Sequence, residues 1–189
     1  MGKSTKNGFS LIEVLVSIVV LALGVLGAAG MQLAAMRTAQ QSAIQTFAFQ
    51  LAAEMAGAMR AGHGRLLQEN GADPFIGLDY QSVAGGDLQT PAKLCYGIEC
   101  NAQELAEFEI YEWKTRVKEA LPGGRIVVCR DSSPWSSAAR ALTWNCDGAV
   151  DSTAPVVIKL GWQVKNPDGS LLRDASGISA PSVSLAVAL

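Results

Sequence analysis

One acid inside a long apolar run constrains this chain more than any other feature. From Phe9 to Met36 the residues are nearly all Leu, Ile, Val, Ala and Gly, and Glu13 is the only charged one. About 20 such residues span the hydrocarbon core of a bilayer as a helix, so the run is a membrane-helix candidate. A carboxylate in that setting costs roughly 2.5–3.5 kcal/mol on insertion scales, so Glu13 calls for a partner. If the chain is cut after Gly8, Phe9 begins it with a cationic amine about one helical turn before Glu13. Lys3 and Lys6, with no acid beside them, precede the run and keep its start cytoplasmic under the positive-inside rule. A secretory signal has a shorter apolar core with its cleavage site behind it. Here the small residue Gly8 stands in front, so cleavage would remove a leader and retain the helix.

The stretch Lys6-Asn7-Gly8-Phe9-Ser10-Leu11-Ile12-Glu13-Val14-Leu15 resembles the class III signal of type IV prepilins and type II secretion pseudopilins. The resemblance implies that a prepilin peptidase cuts between Gly8 and Phe9 and that Phe9 becomes N-methylated. It also implies that Glu13 meets the N-terminal amine of a neighbouring subunit during assembly. On this reading residues 1–8 are a leader, 9–36 the transmembrane and filament-core half of a helix, 37–61 its amphipathic half, and 62–189 a periplasmic head.

Periodicity carries the helix past the apolar run. Leu33, Met36, Ile44, Phe47, Leu51 and Met55 recur at intervals near three and four, among Arg37, Gln40, Gln41, Gln45 and Glu54. One helix is expected from Ser10 to about Arg60, roughly 75 Å long at about 1.5 Å per residue, with its second half packed on the head. It should stop at Gly62-His63-Gly64, where the lone histidine reads as a solvated or capping group. Gly24, Gly27 and Gly30 admit two readings, a small-residue packing face or a stretch prone to local melting. The helix-breaking proline that many pilins carry near here is absent.

The remaining sequence is enough for one domain. Turn signals at Asn70-Gly71, Asp73-Pro74 and Gly85-Gly86 mark a long connection with one short strand near 75–80. A second helix starts at Asn101, with Glu104 completing a capping box, and presents Ala106, Ile110, Trp113, Val117 and Leu121 as one stripe. Its acids, Glu104, Glu107, Glu109 and Glu112, suit a helix N-terminus better than catalysis. Strands are expected at 125–130 and 141–146, paired as a hairpin with a long loop, and at 156–164, 170–173 and 183–189, with a turn at Asn166-Pro167-Asp168-Gly169. The fold class is α+β: a long N-terminal helix on an antiparallel sheet with a second short helix, the type IV pilin fold that the resemblance implies.

Cys95, Cys100, Cys129 and Cys146 all follow the apolar run. In an oxidising compartment an even count reads as disulfides, and four cysteines permit three pairings that sequence cannot separate. Cys95 with Cys100 and Cys129 with Cys146 are favoured, since the first brackets a short loop and the second joins two strand candidates. Zinc is the rival, but there is no second histidine and no paired Cys-x-x-Cys spacing.

The cysteine pair ahead of the helix, Glu104-Leu105-Ala106, Trp113 and Leu121-Pro122-Gly123-Gly124 resemble the soluble region of PilV-type minor pilins. That resemblance implies a structural subunit of a pilus tip or priming complex, supporting twitching motility and adhesion. The implied partners are prepilin peptidase, other minor pilins, the major pilin, a tip adhesin and inner-membrane lipid before assembly. The implied location is the inner membrane, as a single pass with a periplasmic head, and then the filament. A type II secretion pseudopilin is the nearest alternative, and an anchored periplasmic sensor a more distant one. No catalytic motif or cofactor site stands out, and the scattered basic residues do not make a nucleic-acid footprint.

Overall fold

In the computed structural model, residues 8, 10–68, 73–82, 88–148, 153–164, 170–171 and 179–189 are described. The chain divides into two units, Met1–Ala43 and Ile44–Leu189. The first is helical from Leu11 onward, and every described residue in it is exposed. That helix, α1, extends over Leu11–Gln68 and is unbroken at Gly24, Gly27 and Gly30. It also continues through Gly62, His63 and Gly64, against the expected stop. Gly62 lies near the Phe75 ring, and helical hydrogen bonds with core packing outweigh a glycine cost of about 1 kcal/mol per residue.

In the second unit α1 turns one face inward. Ala48, Leu51, Ala52, Met55, Ala56 and Met59 are fully buried, at the alternating three- and one-residue spacing that holds side chains on one side of a helix. Phe49, just off that face, is 55% exposed. Against the buried face lie the residues that alternation assigns to one side of the sheet: Ile126, Val128, Val156, Ile158, Leu160, Val183 and Val187.

The sheet has four antiparallel strands, β1 (Asp79–Gln81), β2 (Arg125–Arg130), β5 (Val156–Gly161) and β6 (Val183–Val187), in the order β1-β2-β5-β6. A separate ribbon pairs β3 (Trp135–Ser136) with β4 (Ala141–Leu142). The expected hairpin between 125–130 and 141–146 is therefore corrected. Residues 125–130 pair with β1 and β5, and only two residues of 141–146 form a strand. The short strand expected near 75–80 begins at Asp79, because Pro74 to Gly77 form a turn. The Asn70-Gly71, Gly85-Gly86 and 166–169 turns lie outside the described residues, as does most of 170–173.

Helix α2 (Ala102–Ala120) starts as its sequence dictates. The Asn101 side chain accepts from the Glu104 N–H at 2.8 Å, and the Glu104 carboxylate accepts from the Asn101 N–H at 3.0 Å. Its stripe of Ala106, Ile110, Trp113 and Val117 is buried, with Trp113 and Phe75 at 5.4 Å between ring centroids. The helix stops where Leu121 turns extended and Gly123 takes a φ of +58°, a region that suits glycine. The layout is α+β, with a long N-terminal helix, a second helix and an antiparallel sheet, matching the pilin fold.

Candidate functional site

The N-terminal site is built on the first turn of α1. Ser10 O accepts from the N–H groups of Glu13 and Val14 at 3.0 and 3.3 Å, which opens the helix at Ser10. Glu13 thus occupies the first turn, where the partial positive charge of the helix end favours an acid. Its carboxylate is exposed above a shallow recess lined by Val14, Ser17, Ile18 and Leu21. Ser17 donates to the Glu13 carbonyl at 2.6 Å, a contact with the backbone and not with the carboxylate. No ion pair to Glu13 occurs among the described residues. Gly8 is exposed with open space around it. Phe9 and the leader lysines lie outside the described residues. The helix is long and apolar enough to cross a membrane.

The four cysteines form two disulfides. Cys95 and Cys100 are 6.0 Å apart at Cα, and Cys129 and Cys146 are 6.2 Å apart. The first closes a loop whose base is tied to α2 by Lys93 on Glu104 at 2.9 Å. The Lys93 hydrogen bond, then the Asn101 N–H, holds the Glu104 carboxyl below the usual carboxylate range. Within that loop Tyr96 packs edge-on against Phe108 and donates to Glu112 at 2.5 Å, which pushes its phenol pKa up. The acids of α2 therefore serve caps and surface contacts.

Two arrangements in the head are not apparent from sequence. His63, placed inside α1 rather than at its end, is partly buried with Nδ1 3.5 Å from Asp73 Oδ2. More telling is Lys159, fully buried on β5, whose ammonium reaches the Asp131 carboxylate and the Asn145 carbonyl. Asp131 is itself 1% exposed and also accepts from the Ser133 N–H at 2.9 Å. Lys159 alternates with apolar residues, so the strand pattern alone assigns it to a solvated face. The signal available in sequence was that its neighbours on that face are Val157 and Gly161, neither of them polar. Among the described residues no group of three His, Cys, Asp or Glu side chains could hold a metal ion.

Residues 3–29 match a family model described as the prokaryotic N-terminal methylation motif. The match indicates a type IV pilin or pseudopilin, a class of structural subunits processed by prepilin peptidase, and it ends well before the head. No curated protein and no solved structure matches the chain.

Proposed function

We propose that the chain is a minor pilin of a type IV pilus, a structural subunit of the tip complex that primes assembly and supports twitching motility and adhesion. The observation that carries this reading is Glu13, an exposed acid without an ion pair among the described residues, at the start of an apolar helix and inside a methylation motif. Prepilin peptidase cuts after Gly8, and Phe9, N-methylated, becomes the new terminus. The amine of a neighbouring subunit then approaches the Glu13 carboxylate. In a membrane or filament core each charge is costly alone, and pairing offsets that cost while fixing the register between subunits.

The subunit waits in the inner membrane with its start cytoplasmic and its head periplasmic, then enters the filament. Its partners are other minor pilins, the major pilin and a tip adhesin. The same signal serves minor pseudopilins of type II secretion, and the spaced pattern from Cys95 to Gly124 favours the pilus. Deleting the gene and scoring surface pili against secreted enzymes separates the two. For the mechanism, Glu13→Ala is expected to leave membrane insertion intact and to abolish most incorporation into filaments, read by immunoblot of sheared fibres. Incorporation at the wild-type level would remove Glu13 from the mechanism.

A further inference from the structure

The sheet of the head has two covered faces, and they are covered in different ways. One carries the apolar core described above. On the other, alternation along β2 and β5 places Val127, Cys129, Val157, Lys159 and Gly161, with Val127 opposite Lys159 and Cys129 opposite Val157. Val127, Val157 and Lys159 are buried although none belongs to the main core. Over this face runs the strap from Ala141 to Gly148, which touches Gly161, Lys159 and Cys129. Its strand, β4, pairs with β3, and its last residue, Gly148, donates its N–H to Arg130 O of β2 at 3.0 Å.

Besides the Gly148 bond, and the Asp147 carboxylate that accepts from the Ser132 N–H and hydroxyl at 2.7 and 2.6 Å, the strap is held at Trp144, Asn145 and Cys146. The Trp144 ring lies so close to Gly161 that an added Cβ would meet it at 2.8 Å. The Trp144 Nε1–H donates to Ser179 O at 2.8 Å, and the Arg125 guanidinium lies 4.6 Å over the indole. The Asn145 carbonyl accepts from the Lys159 ammonium at 2.6 Å. Cys146 is bonded to Cys129. The two acceptors of the buried ammonium thus stand beside the two ends of the disulfide. Asn145 immediately precedes Cys146, and Asp131 follows Cys129 by two residues.

We propose that the Cys129–Cys146 disulfide is a redox latch: its reduction frees the 141–148 strap and opens the Lys159–Asp131 pair and the outer sheet face to water. The two cysteines are unequally exposed, Cys146 lying at the surface and Cys129 being buried. A dithiol reductant attacks the Cys146 sulfur and Cys129 leaves as the thiolate. The second thiol of the reductant then displaces Cys146 from the mixed disulfide. The protein gains two thiols and the dithiol becomes a cyclic disulfide, so two electrons and two protons pass to the protein. Without the covalent tie the strap keeps the two-stranded ribbon, the Trp144 packing and a set of hydrogen bonds that are part-buried or exposed, the kind of segment that opens locally below the global unfolding free energy. The latch closes only where thiols are oxidised.

The test is amine acylation of the full chain in detergent micelles, read at Lys159 by peptide mass spectrometry before and after dithiothreitol. A Cys95→Ser/Cys100→Ser variant confines the reduction to the latch. Acylation of Lys159 is expected to rise roughly tenfold or more on reduction, as for local opening of a protected group. Labelling of exposed Lys118 and amide-hydrogen protection of α2 are expected to stay unchanged. Equal protection of Lys159 in both redox states would overturn the proposal. So would exposure of Lys159 that appears only together with loss of α2 protection, because the disulfide would then be supporting the whole head rather than latching one face.

Discussion

Glu13 and Lys159 pose the same problem in two regions of the molecule, and the regions answer it differently. Each is the one charged residue in an apolar stretch, 9–36 for Glu13 and 154–164 for Lys159. In the head, Lys159 is withdrawn fully from water and meets both a carboxylate and a carbonyl of its own chain. In the first unit, Glu13 stays exposed and no ion pair to it occurs among the described residues. A buried charge is tolerated when geometry and additional hydrogen bonds satisfy it. The contrast teaches that a charge buried in the head is met by groups of the head itself, whereas the Glu13 carboxylate is met by no cation among the described residues.

The sharpest way to break this comparison is to remove the head's internal answer. Lys159→Met leaves Asp131 buried without its cation and is expected to cost about 3–5 kcal/mol in denaturant unfolding. Adding Asp131→Leu should recover much of that loss, since an apolar pair of similar size is often tolerated. A loss below about 1 kcal/mol for Lys159→Met would mean that the pair is hydrated in solution, and the contrast with Glu13 would fail.

A smaller effect is expected at a charge pair left in water. Arg116 contacts Glu54 at 2.6 Å with both side chains well exposed. Arg116→Met should cost only about 0.2–1 kcal/mol for the ion pair, together with the guanidinium's packing over the Phe47 ring at 5.9 Å. The ratio of this loss to that at Lys159 measures how far burial, rather than charge pairing as such, sets the energetics.

The smallest effect belongs to Glu104. Its carboxyl is held low in the folded head by Lys93 and the Asn101 N–H. A depressed folded value makes the contribution complete above the ordinary carboxylate range and lost as pH falls through the folded value. Lys93→Met should therefore lower the neutral plateau slightly and flatten the acid limb of a stability-against-pH curve, leaving stability at the acid end, where Glu104 is protonated, nearly unchanged. A steeper acid limb in the variant would reverse the sign of this assignment.

Much of this was legible where the cause is local. The α2 start follows from Asn101 and Glu104, three residues apart, and its buried stripe from helical spacing. The alternation in 156–161 announces β5, and Glu13 stands out because every neighbour is apolar. Non-local pairing was less legible. Residues 125–130 pair with β1 and β5 instead of 141–146, since strand partners are chosen by packing across the whole sheet. The α1 end was misplaced because Gly62 and Gly64 signal a stop locally, while Phe75, beside Gly62, lies on another segment. The partner of Lys159 is 28 residues away, and no short-range pattern in β5 points to it. For the N-terminal site, sequence composition carries nearly all the information, because the group that would answer Glu13 is not supplied by the described part of the chain.

The central claim is that Glu13 awaits an amine created by cleavage at Gly8. The most direct test is the intact mass and N-terminal peptide of the membrane-extracted protein, made with and without an active prepilin peptidase. The account predicts a chain beginning at N-methylated Phe9 only when the peptidase is present. A chain that still carries Met1 to Gly8 in both preparations would contradict it, leaving Glu13 an acid in an uncleaved anchor.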